Sequence, residues 1–156
     1  MKNLIFIMLA IFLTISSCSE RRKTNELDSD EFKTKAERIE ILKNAIISQS
    51  EFENAEFELF NVNGFSNSRL TVPGSSSLDY KFVIKIETED IYKWTKEMNK
   101  VQSKDLKFDW TKEITEKRKN QWTTQSSPEF YNRGNENLVM IVYRPEGIIY
   151  KRVINE

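Results

Sequence analysis

Asp79-Tyr80-Lys81-Phe82-Val83-Ile84-Lys85-Ile86 is the stretch that decides the fold. Tyr80, Phe82, Ile84 and Ile86 recur at every second residue, with Lys81 and Lys85 between them. A period of two puts the aromatic and aliphatic set on one face of a pleated strand and the lysines on the other. Thr88-Glu89-Asp90 follows. Threonine caps helices, and carboxylates in a first turn meet the positive end of the helix dipole. Ile91, Trp94, Met98 and Val101 then advance by three or four residues at a time, one face of a helix. A strand followed by a helix, from Asp79 to about Lys100, is the unit around which the chain is arranged.

Upstream, Glu56-Phe57-Glu58-Leu59-Phe60-Asn61-Val62 is rich in aromatic and branched residues and predicts a strand. Asn63-Gly64 predicts a tight turn. Arg69-Leu70-Thr71-Val72 then reads as a short returning strand, and Pro73-Gly74-Ser75-Ser76-Ser77 as a loop. Before these, residues 31–48 predict a helix. Phe32, Ala36, Ile39, Leu42 and Ile46 share one face, Ile41, Ala45 and Ile47 widen it, and Asp28 or Asp30 caps its start.

Downstream, Leu106, Phe108 and Trp110 alternate, and a helix opens near Trp110 and runs to Trp122. Ser126-Ser127-Pro128 ends it, and Asn132-Arg133-Gly134-Asn135 has turn chemistry. Leu138-Val139-Met140-Ile141-Val142-Tyr143, the turn Arg144-Pro145-Glu146-Gly147, and Ile148 to Ile154 form a closing hairpin. The expected architecture is α+β: a mostly antiparallel sheet of about five strands with two or three helices packed on one face. Residues 31–156 are read as its single domain.

The first eighteen residues differ from all this. Lys2 precedes an unbroken apolar run from Leu4 to Leu13, and small residues lead to Cys18. A membrane-spanning helix needs about 20 apolar residues, and this run has half that, so it reads as a secretory signal. Ile15-Ser16-Ser17-Cys18 resembles the lipobox of bacterial lipoproteins: an aliphatic residue, two small ones, then cysteine. The resemblance covers only this leader. It implies that residues 1–17 are removed, that the Cys18 thiol carries lipid, and that the protein is held in the bacterial cell envelope. Ser19, where an Asp would imply inner-membrane retention, points to the outer membrane. A single acyl chain binds weakly, at about 0.8 kcal/mol per buried methylene, and two or three hold firmly. Residues 18–30 then read as the lipidated cysteine and a tether, because Leu27 is the one large apolar side chain after Cys18.

Composition removes several chemistries. The chain has 24 basic and 24 acidic residues, so charge gives no case for nucleic acid. It has no histidine, and its one cysteine is Cys18. Histidine-based triads, histidine zinc sites, thiol catalysis and internal disulfides are therefore excluded. The four glycines do not cluster into a phosphate loop. No cofactor and no metal is expected. Two side-chain groups remain. Glu87, Glu89 and Asp90, with Asp79, could act as paired carboxylates in hydrolysis. Trp110 and Trp122 beside Lys112, Lys117, Arg118 and Lys119 could form a binding patch. The expectation is a non-enzymatic binding module, of inhibitor or immunity type among the options, with a protein or polysaccharide partner. The alternative is a carboxylate-dependent hydrolase acting on cell-wall or polysaccharide material.

Overall fold

A computed structural model describes residues 24–65, 77–102, 108–134 and 137–155. The leader, Cys18, the returning strand at Arg69 to Val72, most of the loop after it, and Leu106 lie outside these residues.

Seven strands form one antiparallel sheet: β1 (Thr24–Asp28), β2 (Asn54–Phe65), β3 (Leu78–Lys85), β4 (Asn99–Val101), β5 (Glu129–Asn132), β6 (Leu138–Tyr143) and β7 (Ile148–Asn155). Their order across the sheet is β1-β2-β3-β7-β6-β5-β4. The class is α+β, with more strands than the five expected. The strand at Asp79 to Lys85 is central, pairing Phe82 with Phe57 on one side and Val83 with Tyr150 on the other. The closing hairpin forms as expected.

The helices do not lie on one face. Phe57, Phe82, Ile84, Met140, Val142 and Ile149 are buried under α1 (Lys35–Ala45) and α2 (Ile91–Thr95), with Leu42, Ile91 and Trp94 packed on them. The opposite face carries Val83, Ile141, Ile148 and Tyr150, and these are buried under Trp110, Ile114 and Trp122. The cause is visible in β3. Val83 sits between Lys81 and Lys85 and is fully buried. Three aliphatic residues and a tyrosine on the nominally polar face need cover, since each buried large side chain contributes about 1.5–3 kcal/mol.

Four further boundaries differ from expectation. Thr24–Asp28, read as tether, is a strand paired along the end of β2, with Leu27 opposite Leu59. β2 runs on through Asn63-Gly64 to Phe65 in place of a turn, because β1 takes up that pairing. α1 is capped by Thr34, not by an aspartate. The Thr34 hydroxyl accepts from the Glu37 N–H and Glu37 accepts from the Thr34 N–H, a capping box. Asp28 instead caps the single 3-10 turn Ser29–Glu31. The helix after β3 ends at Thr95, because Asn99–Val101 pairs with β5 as the far edge strand.

The segment from Trp110 to Trp122 is not one helix. α3 (Asp109–Glu113) and a 3-10 stretch (Glu116–Gln121) are separated at Thr115. The buried Thr115 hydroxyl donates to the Thr111 carbonyl at 2.9 Å, a back-bond that bends helices.

One acid-sensitive tie closes the β4 side of the sheet. Glu129 accepts from Arg144 at 2.7 Å and from the Tyr131 hydroxyl at 2.6 Å, and Lys100 lies 3.3 Å away. The Arg144 and Tyr131 hydrogen bonds hold its carboxyl down at about 2. A folded-state value below the unfolded one adds stability above the ordinary carboxylate range and loses it as pH falls toward about 2. Glu129→Gln should cost about 1 kcal/mol at neutral pH, discounted for the partial exposure of the pair. Urea titrations of both proteins should converge as pH is lowered from 5 through about 2. A gap that stays constant over that range would refute the assignment.

Candidate functional site

The site grows from a buried carboxylate. Glu56 lies on β2 with its side chain 1% exposed. Arg118 donates Nε to Oε1 at 2.6 Å and Nη2 to Oε2 at 2.5 Å. Arg38, itself buried on α1, places Nε 3.3 Å from Glu56 Oε1 and donates to the Ala55 carbonyl at 3.1 Å. Arg118 also reaches Asp30 at 2.9 Å, and Lys117 reaches the other Asp30 oxygen at 2.8 Å. The network joins α1, β2, the turn at Ser29–Glu31 and the 3-10 stretch Glu116–Gln121. Forked guanidinium pairing of this kind fixes geometry as well as charge.

Above it opens a cleft of about 520 Å³, lined by Lys33, Lys35, Arg38, Glu53, Asn54, Lys85, Arg118 and Gln121. Asn54 donates to Gln121 at 3.0 Å across it. A neighbouring concavity of about 570 Å³ shares Glu53, Lys85 and Gln121 and extends the cleft past Glu87, Thr88, Asn120 and Thr123. Its far wall is the β6–β7 turn. Glu146 there accepts from the Gln125 and Ser126 N–H groups, each at 2.8 Å, and from the Ser126 hydroxyl at 2.6 Å. These bonds hold its carboxyl at about 2.

The residues singled out from sequence are dispersed. Trp110 and Trp122 are buried in the second core and stack on no outside surface; Trp110 meets Tyr150 edge-on. Arg118 and Lys117 turn to Glu56 and Asp30, leaving Lys112 and Lys119 exposed. Asp79 begins β3, where Arg152 donates to it at 2.8 and 2.9 Å. Glu87 follows the other end of that strand, about 25 Å off at roughly 3.3 Å per residue. Asp90 pairs with Lys93 at 2.6 Å, and Glu89 is exposed. The carboxylate that does meet Glu87 is Glu53. Hydrogen bonding and like charge from Glu53 push the Glu87 carboxyl up.

Two residues central to the site, Glu53 and Glu56, were not legible as such. Asn54 pairs with Lys85, and that register brings Glu53 beside the end of β3. The sequence signals a strand at Glu56 but not its partner's register. Among the described residues, no group of three or more His, Cys, Asp or Glu converges as a metal site, and no helix is long and apolar enough to cross a membrane. No protein-family model, no curated protein and no solved structure matches the chain.

Proposed function

We propose that this chain is a lipid-anchored protein of the bacterial envelope whose domain binds a protein or polysaccharide partner without transforming it. The observation that carries the reading is Ile15-Ser16-Ser17-Cys18 standing just ahead of a domain whose first strand starts at Thr24. Five residues separate the two, and a chain spans at most about 3.3–3.6 Å per residue, so the Thr24 end of the sheet stays within about 20 Å of the lipid. Lys85 and the cleft lie at the other end of β3, turned away from the membrane. An inhibitor or immunity role, and residence in the outer membrane, are part of the same proposal.

The chemistry of the cleft supports binding over turnover. The chain has no histidine. The competing reading, a carboxylate-dependent hydrolase acting on cell-wall or polysaccharide material, draws on the raised Glu87 carboxyl at an open cleft.

The anchor and the partner are tested together with the full-length protein. Cys18→Ala should abolish incorporation of a labelled fatty acid and leave unprocessed precursor; continued labelling would remove the lipoprotein assignment. Wild-type protein in mild detergent, used as bait for envelope extract of its source, should retain one stoichiometric protein or a defined polysaccharide. Release of shortened polysaccharide, abolished by Glu87→Gln, would replace binding with hydrolysis.

A further inference from the structure

Lys33, Lys35 and Lys85 converge on the cleft above Glu56 from the start of α1 and the end of β3. Arg38, Lys117 and Arg118 near the Glu56 network are each paired with a carboxylate, and among the described residues none of the three converging lysines is. All three are exposed, and among the described residues no carboxylate lies within 4 Å of them. Lys33 and Lys35 flank Thr34, the cap of α1, and add positive charge at that end of the helix beside Glu37, whose carboxylate closes the capping box. Arg38 and Arg118 form the floor and are held rigidly by Glu56. Among the described residues, this concavity is lined by five cations and one carboxylate, Glu53; Arg38 and Arg118 are offset by Glu56 and Asp30, and the adjoining concavity adds Glu87 and Glu146. Lys33, Lys35 and Lys85 make the α1 end of the cleft positive, and a concave wall of one sign concentrates the field that draws in an oppositely charged group there.

The rest of the lining selects among anions. Asn54, Gln121, Asn120, Thr88 and Thr123 supply donors and acceptors along the cleft. A carboxamide offers two N–H donors and a carbonyl acceptor, so the Asn54–Gln121 bond leaves capacity on both. Among the described residues, no aromatic side chain lines either concavity. Peptide recognition relies on aromatic or aliphatic anchors in apolar pockets; here Ile86, Pro145 and Ile148 line only the adjoining concavity, and Ile86 and Ile148 are themselves buried.

We propose that this cleft binds an anionic glycan: a polyhydroxylated chain bearing carboxylate or phosphate groups, the anions on Lys33, Lys35 and Lys85 and the hydroxyls on the amides. The proposal rests on the reading of the domain as a binding module and names its ligand class. The lysines supply attraction that salt screens, because all three face water.

The test titrates the full-length protein in detergent with four probes: polygalacturonate, phosphorylated dextran, plain dextran and polyglutamate. Polygalacturonate or phosphorylated dextran should bind, and which of them binds tighter identifies the anion. Raising salt from about 0.05 to 0.5 M should weaken that binding. Plain dextran should not bind. The triple variant K33Q/K35Q/K85Q changes only exposed side chains and should fold normally, which its urea midpoint checks. It should bind the charged glycan about tenfold more weakly or worse. Unchanged affinity in the triple variant, equal binding of plain dextran, no binding of either charged glycan, or tighter binding of polyglutamate would each overturn the proposal. If the charged glycans fail while the envelope bait still retains one stoichiometric protein, the cleft assignment falls and the binding module stands. If a charged glycan binds and is shortened, the cleft stands and the non-enzymatic reading falls.

Discussion

Glu56→Gln is expected to lower the stability of the domain by about 3–5 kcal/mol, the cost of breaking a buried ion pair from one side. Total stabilities of single domains are about 5–15 kcal/mol, so this is a large share. The reason is Arg38. Its side chain is 4% exposed, and Glu56 is its carboxylate partner. An amide at position 56 supplies an oxygen but turns its own N–H donors toward guanidinium donors. Arg38 is then a desolvated cation with no counter-charge. Arg118 can rotate toward Asp30, which it already touches at 2.9 Å, so its loss is smaller. This asymmetry gives a double-mutant test. Arg38→Met placed on Glu56→Gln removes the stranded charge and should restore part of the stability, whereas additive losses would mean that the two residues are independent. Urea midpoints of the four proteins decide it. A Glu56→Gln loss below about 1 kcal/mol would mean that water reaches the carboxylate and that the network does not organise the cleft floor.

The same residue shows what could and could not be read in the sequence. Glu56-Phe57-Glu58-Leu59 has the alternation of a strand with one wet face, and the strand is there. Glu58 behaves as that pattern says, half-exposed and paired with Lys81 at 3.1 Å. Glu56 is buried because Arg118, sixty-two residues away, folds over it. Local period carries no information about a contact at that separation. The Trp110 and Trp122 case is similar. Tryptophans among lysines look like a stacking surface until Val83, Ile141 and Ile148 are seen to need a lid. Where local rules and tertiary needs agreed, as in β3 and the β6–β7 hairpin, the boundaries came out nearly correct. Where pairing overruled composition, they did not. Thr24–Asp28 is polar enough for a linker and became a strand because the end of β2 had an open edge.

The cleft's far wall depends on a second contact that sequence marks only as a turn. Gly147 closes the β6–β7 turn with φ +66°, and its carbonyl accepts from the Ile86 N–H at 2.9 Å. A methyl group built on Gly147 would stand 2.2 Å from the Ile86 carbonyl oxygen. That oxygen belongs to the backbone leaving β3, so it cannot swing aside as a side chain would. Gly147→Ala is therefore expected to cost at least about 3 kcal/mol: about 1–2 for the left-handed backbone, about 1 for the hydrogen bond, and the rest for displacing the strand end. Gly134 supplies the control. Its φ is +71°, nearly the same, but among the described residues nothing lies within 4 Å of the added methyl. Gly134→Ala should cost only the backbone term, about 1–2 kcal/mol. The difference between the two variants isolates the close approach. It also has a local signature: the Ile86 amide should lose hydrogen-exchange protection in Gly147→Ala and keep it in Gly134→Ala. Equal losses in the two variants would show that the turn can move off β3 at little cost. The cleft wall carrying Glu146 would then be adjustable, and a ligand bound beside Glu87 would have to order it.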